Sequence, residues 1–300
     1  MNVTVLGAGT MGRGIAHVAA FAGHGVSLRD VEDDLVNDGI AGIANALDEG
    51  VERDVLTREA ADAALDRITG TTDLERAATD ADVLVEAVPE DLELKRRVLG
   101  DAEAFLTDDA LIASNTSSIP VTAIASALDI PGRFCGLHFF NPVHRMPLVE
   151  VVLGERTGEQ TRERAVSFVE GIGKEAVVVR DSPGFVSSRL GVALGAEAIR
   201  MVESGVAAPA EVDRAMTLGY NHPVGPLELT DIVGLDVRLD ILETLRTELG
   251  ERFRPPQLLR RKVRAGKLGR KTGEGFYRWE GDEIVGAADT ESADSGSIEP

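Results

Sequence analysis

Cysteine, lysine and long apolar stretches are scarce or missing in this chain of 300 residues. The single cysteine, Cys135, excludes an intramolecular disulfide and a cysteine-rich metal site, and it suits a reducing compartment. No apolar run approaches the roughly 18 residues of a membrane-spanning helix, so no membrane span is expected. Met1 leads straight into the strand-like Asn2–Leu6 without a basic start or a cleavage site. No export signal is therefore expected, and the expected location is the cytoplasm. Only five of the 31 basic residues are lysines (Lys95, Lys174, Lys262, Lys267 and Lys271), against 51 acids and a net charge of −20. Such an anionic surface repels nucleic acids and acidic membranes, so neither is an expected partner. It also stays soluble where salt screens charge over only about 3 Å, as at 1 M. The composition predicts a halophilic protein from a high-salt cytoplasm like that of the haloarchaea; the alternative is an ordinary acidic protein.

The chain does have 43% apolar residues, ordinary for a globular enzyme, and it is long enough for two domains, since single cores stop growing at roughly 250–300 residues. Up to about residue 180, apolar runs at 3–6, 26–28, 83–87, 111–113, 134–140, 148–153 and 176–179 read as buried strands. Amphipathic stretches at 11–22, 92–105 and 162–171 read as helices between them. The alternation implies an α/β domain whose mostly parallel sheet is covered on both faces. Asp181-Ser182-Pro183-Gly184 breaks the pattern, and from 185 to about 268 the periodicity is helical only. The expected organisation is an α/β domain over 1–183, an all-helical domain over 184–283, and an acidic, unpatterned and disordered tail over 284–300.

Gly7-Ala8-Gly9-Thr10-Met11-Gly12 follows the first expected strand and opens the first expected helix. Gly7 suits the tight turn, Gly9 the close approach of a pyrophosphate, and Gly12 the close packing of helix on strand. Phosphates then meet the free N–H groups of the helix start, where Thr10 and Met11 lie. Asp30 ends the second strand, 18 residues after Gly12, where a carboxylate accepts from ribose hydroxyls and repels a 2′-phosphate. The context favours a doubly wound Rossmann-type domain that binds NAD rather than NADP, although Arg29 adjoins the acid. The plain alternative makes Asp30 a helix cap.

Three polar clusters fall where strands end: Pro89-Glu90, Asn115-Thr116-Ser117-Ser118 and His138-Phe139-Phe140-Asn141. Ligands of open α/β sheets bind at such ends. An ionised Glu150 inside the apolar run 148–153 needs a partner, and His138, twelve residues earlier, is the candidate. The pair would orient the imidazole, fix its tautomer and make it a better base. Ser117 could bind the reacting oxygen, whereas Ser118 reads equally well as a helix N-cap. A Ser117–His138–Glu150 hydrolytic triad is conceivable, but the dinucleotide pattern argues for hydride transfer. His138, His144 and His222 share no metal-ligand spacing with Cys135 or nearby acids, so no metal is expected.

The segments 7–16, 86–90, 114–118, 138–142, 148–152, 181–185, 225–226, 231–236 and 269–277, in this order, resemble the 3-hydroxyacyl-CoA dehydrogenase family. The resemblance implies a homodimer formed through the helical half and a short acyl-CoA as substrate, with NAD as cofactor. It implies that His138 takes the hydroxyl proton, Glu150 holds His138, and Ser117 bonds the reacting oxygen. It further implies that Glu90, Lys95, Ser117, Asn141 and Lys271 contact the nucleotide or its nicotinamide end, although on residue type alone Lys95 reads as part of a solvated helix face. Ser188 stands where the family has an asparagine that bonds near the reacting oxygen. Arg53 and Arg58 are the only cations of the 31–59 segment and the candidates for CoA contacts. The competing readings are a gulonate- or carnitine-type dehydrogenase without CoA, and a catalytically weak NAD(H)-binding protein.

Overall fold

Runs of valine, leucine and isoleucine too apolar for water on either side become the inner strands of one sheet. In the computed structural model, which describes residues 1–288, the first unit spans Met1–Phe185. Its strands are β1 (Asn2–Leu6), β2 (Gly25–Arg29), β3 (Ile68–Thr71), β4 (Val83–Glu86), β5 (Leu111–Ser114), β6 (Phe134–Phe139), β7 (Leu148–Leu153) and β8 (Glu175–Arg180). The spatial order is β3-β2-β1-β4-β5-β6-β7-β8. All neighbours are parallel except β6 and β7. Chain order reverses between β1 and β4, which opens a crevice at the strands' carboxyl ends.

Seven helices accompany the strands of this unit: α1 (Thr10–Phe21), α2 (Asp33–Glu52), α3 (Arg58–Leu65), α4 (Leu74–Ala78), α5 (Leu92–Glu103), α6 (Val121–Ala125) and α7 (Glu159–Gly171). Two buried clusters, one on each side of the sheet, make the core. One joins Val5, Ile15, Leu28, Leu137 and Phe168, the other Leu6, Leu84, Leu99, Ile112 and Phe134. Two details depart from the sequence reading. β3 was not foreseen, because Ile-Thr-Gly-Thr on a half-covered edge carries neither a buried run nor a clean alternation. The run at 176–179 is not a buried strand, since β8 has one neighbour and leaves Val177 44% and Val178 38% exposed.

The second unit starts at Val186. Phe185 belongs with the first, where its ring is buried in the cluster that holds Val121 and Val152. Helices α8 (Ser187–Glu203), α9 (Pro209–Tyr220), α10 (Pro226–Val233), α11 (Leu235–Leu249) and α12 (Gln257–Arg264) precede a hairpin, β9 (Tyr277–Glu280) and β10 (Glu283–Ala287). The expectation of an all-helical domain is corrected by this hairpin. So is that of a tail disordered from 284, because β10 pairs with β9 and Ala288 donates its N–H to the carbonyl of Phe276. The rest of that tail, 289–300, lies outside the described residues.

Two buried acids fasten the hairpin to the helices. Asp231 accepts from the N–H groups of Phe276 and Tyr277 and from Trp279 Nε1, at 2.8–2.9 Å. Asp213 accepts from the N–H groups of Leu227 and Glu228 at the start of α10 and from the Tyr277 hydroxyl. Buried donors without such partners would each cost about 1–3 kcal/mol.

Candidate active site

Strand register carries the separate clusters to one edge of the sheet. Leu6 lies beside Glu86, Glu86 beside Ser114, and Ser114 beside Gly136. The glycine turn, the 87–91 loop, the 115–119 loop and the end of β6 therefore share the crevice edge.

Each glycine of the turn has a distinct mechanical reason. Gly7 has φ +102, and a Cβ there would meet the Ala87 carbonyl oxygen at 2.7 Å. A Cβ on Gly12 would fall 1.7 Å from the Gly7 carbonyl oxygen, whereas one on Gly9 would project into open space. That open space lies at the N-cap of α1, which has no side-chain cap and no acid in its first turn. A helix start so prepared, with free N–H donors and a bare approach, fits a pyrophosphate. Asp30 does not cap α2, whose N-cap is Glu32. Its carboxylate instead accepts from the N–H groups of Ala8 and Val31, both at 2.7 Å, which holds an acid beside the glycine turn. The Arg29 Nε–H is turned onto the carbonyl of Thr72.

Below the crevice lies a buried charge network. Glu86 is fully buried and Lys95 is 1% exposed. The Lys95 ammonium donates to Glu86 Oε1 at 2.7 Å and to the Val88 carbonyl, and lies 3.3 Å from Glu90 Oε2. Burial pushes the Glu86 carboxyl up, against the pull of Lys95 and Ser114. Burial would also raise Glu90, but Lys95 and the donors of Thr116 and Ser118 outweigh it and hold that carboxyl below its usual range. Glu90 Oε1 collects the Thr116 hydroxyl, the N–H groups of Ser117 and Ser118 and the Ser118 hydroxyl, at 2.7–3.0 Å. Two readings change as a result. Lys95 is not a solvated helix residue, because its ammonium is buried beneath the loops among Glu86, Glu90 and the Val88 carbonyl. Ser118 is not a helix cap, since α6 begins after Pro120 and the Ser118 hydroxyl serves Glu90.

His138 and Glu150 face each other directly across the antiparallel pair β6–β7. Directly opposed residues put their side chains on one face, and here His138 Nδ1 lies 2.8 Å from Glu150 Oε2. Both are buried, at 6% and 1% exposure. With Nδ1 engaged, Nε2 is the nitrogen left for a substrate proton. Asn115 braces this end of β6: its Oδ1 accepts the Phe139 N–H at 2.9 Å. The ring centroids of Phe140 and Phe185 stand 4.5 and 5.5 Å from that of His138.

Of the remaining expected residues, Ser117 is half-buried in its loop and Asn141 is exposed just beyond β6. Ser188, second residue of α8, and Lys271, paired with Asp236 at 2.6 Å, belong to the second unit. Arg58 is exposed and pairs with Asp48 and Asp62. Arg53 pairs loosely with Glu49 at 3.6 Å and lines a cavity of about 670 Å³ that sequence reasoning did not find. Arg145, Lys174, His17 and His144 line it too, with Glu49 as the one acid. Three of these, Arg53, Arg145 and Lys174, are cations gathered at one cavity in a chain of net charge −20. No sequence spacing announces it, because its walls come from α1, α2, the 140–147 loop and the α7–β8 turn. Among the described residues no group of three or more His, Cys, Asp or Glu is placed to hold a metal.

The His17 and His144 rings stack at 5.7 Å and 16°. Burial, then His144 and Lys174, lower the His17 pKa to about 4. A histidine neutral in the fold but basic when unfolded stabilises the protein above pH about 6.5 and loses that contribution as pH falls toward 4. Wild type should therefore lose about 2–3 kcal/mol more than His17→Gln over that window. Urea unfolding at stepped pH checks this, and parallel stability curves would contradict it.

Known proteins resemble this chain over more than nine-tenths of its length. Residues 2–182 match the model of the 3-hydroxyacyl-CoA dehydrogenase NAD-binding domain, and residues 184–279 match that of the C-terminal domain. A probable 3-hydroxybutyryl-CoA dehydrogenase of Deinococcus radiodurans is 44% identical over 280 residues, which are 93% of this chain and 100% of the relative. The 3-hydroxybutyryl-CoA dehydrogenase of Bradyrhizobium diazoefficiens is 44% identical over 285 residues, 95% of this chain and 97% of its own. The crystal structure of (S)-3-hydroxybutyryl-CoA dehydrogenase from Ralstonia eutropha superposes with a TM-score of 0.89 at 40% identity, covering 93% of this chain and 99% of that one.

Proposed function

We propose that this chain, which belongs to the 3-hydroxyacyl-CoA dehydrogenase family, is an enzyme that oxidises a short 3-hydroxyacyl-CoA to the 3-oxoacyl-CoA with NAD. The observation that carries the reading is the buried His138–Glu150 pair on the same sheet edge as the glycine turn. His138 Nε2 accepts the proton of the substrate hydroxyl. Glu150 fixes the ring through Nδ1 and stabilises the positive charge that His138 gains. NAD, when bound, supplies the hydride acceptor. Gly9 and the N–H groups opening α1 hold its pyrophosphate, and Asp30 takes its ribose hydroxyls while disfavouring a 2′-phosphate. Glu90 keeps Ser117 in place to bond the reacting oxygen, and Lys95 keeps Glu90 in place. Asn141, just beyond β6, lies at the end of the crevice that would take the nicotinamide.

The cavity edged by Arg53, Arg145 and Lys174 takes the phosphates of CoA, which favours an acyl-CoA over a bare hydroxy acid. A panel of 3-hydroxybutyryl-CoA, gulonate and carnitine, each with NAD, tests this reading. Reduction of NAD with the CoA ester alone is expected, and preference for either free acid would overturn it. At position 188, restoring the longer donor in Ser188→Asn should raise turnover of acetoacetyl-CoA, by up to about 100-fold. Unchanged or lower turnover would mean that the site is built around serine.

The assembly is a homodimer. Exposed Leu190 and Leu194 on α8, with Leu229 and Val233 on α10, form an apolar surface in the second unit that suits a second copy. No described helix is long and apolar enough to cross a membrane, and the cytoplasm is the proposed location. The acidic surface suits high salt: Tm should rise from low salt to molar KCl as repulsion is screened, and an equal Tm in both would refute halophily.

A further inference from the structure

Two aromatic rings stand close to the imidazole of His138, whose Nδ1 is taken by Glu150. Phe140 lies 4.5 Å away, tilted by 52°, and Phe185 lies 5.5 Å away, tilted by 58°. Both centroids fall inside the roughly 6 Å over which an aromatic quadrupole attracts a cation. Phe185 holds its place under strain. Its φ is +47, in the left-handed region that side chains avoid, directly after Gly184 at φ +73. Its N–H donates to the Ser182 carbonyl at 2.8 Å, and its side chain is only 4% exposed. A second glycine would take this backbone without strain. A bulky residue kept here against its preference is the pattern of a position that serves the site.

We infer that Phe140 and Phe185 are positioning residues that act through His138, their π faces stabilising the imidazolium formed when Nε2 accepts the substrate proton. The inference rests on His138 being the base. Before the step the ring is neutral and the interaction with the aromatic rings is weak. After proton transfer the ring is cationic in a site nearly closed to water, where the attraction is larger. The gain therefore falls on the transition state and the charged product state, and so on kcat rather than on ligand affinity. Glu150 supplies the formal negative charge along the hydrogen bond, and the two rings add to that stabilisation.

Fluorination separates this role from packing, because it drains the ring quadrupole while leaving the ring's shape nearly the same. Single-turnover NADH formation would be followed in variants carrying mono-, di- and trifluorophenylalanine at 185, and in a second series at 140. The hydride-transfer rate should fall stepwise with fluorine number, by about two- to fivefold for the trifluoro ring at either position, with substrate KM and Tm unchanged. Phe185→Leu should lose at least as much rate. A rate flat across both series, with only Phe185→Leu impaired, would show that the rings merely pack, and the inference would fail. Activity that survives His138→Ala would instead refute the base on which it rests, so the two failures are distinguishable.

Discussion

His138→Ala is expected to lower kcat for 3-hydroxybutyryl-CoA oxidation by about 10²–10⁴-fold, the usual contribution of a positioned general base. NAD affinity, read by calorimetry, should stay unchanged, because the glycine turn and Asp30 do not touch this ring. Glu150→Gln should be milder, since the amide can keep a hydrogen bond to the imidazole but not its charge. Glu150→Ala should be worse, since it leaves the buried Nδ1 without its 2.8 Å partner at a penalty of about 1–3 kcal/mol. Alanine at 138 with near-normal kcat would remove the imidazole from the chemistry. Equal damage from Glu150→Gln and Glu150→Ala would assign Glu150 to charge rather than to orientation.

The second large effect concerns two glycines three residues apart that should fail differently. In Gly12→Ala the new methyl would lie 1.7 Å from the Gly7 carbonyl oxygen, so the turn itself must open. Overpacking of this kind costs about 1–3 kcal/mol, which for a protein of this size lowers Tm by roughly 2–5 °C. In Gly9→Ala the methyl meets nothing. Tm should hold, while the filled approach removes charge-assisted contacts to the pyrophosphate and weakens NAD binding by about 10- to 100-fold. Differential scanning calorimetry and NAD titration of the two variants separate the outcomes. Loss of stability in Gly9→Ala, or an unchanged Tm in Gly12→Ala, would contradict the roles assigned to them.

Much of this was legible before any coordinates because the signals are local. A glycine turn between a strand and a helix carries its meaning in six adjacent residues. An acid inside an apolar run, twelve residues from a histidine in another, implies a partner, and antiparallel register supplies it at His138↔Glu150. What escaped depends on contacts between distant segments. Lys95 sits among charges on α5 and reads as solvated, yet α5 turns it inward onto Glu86, and the two loops built on Glu90 depend on it. The cationic cavity draws Arg53, Arg145 and Lys174 from three separate segments, and no spacing rule joins them. β3 and β10 were missed for a simpler reason: short edge or hairpin strands with Thr, Gly or alternating exposed residues bury too little to leave a pattern.

Labelling the carbinol carbon gives the most direct trial of the whole account. With deuterium at C3 of 3-hydroxybutyryl-CoA, the protein should place the label on the nicotinamide of the NADH produced and none in solvent, at a rate that collapses in His138→Ala. Label released to water, or transfer that proceeds as fast without the imidazole, would mean that the hydroxyl proton and the C3 hydride do not leave one carbinol in the crevice described above.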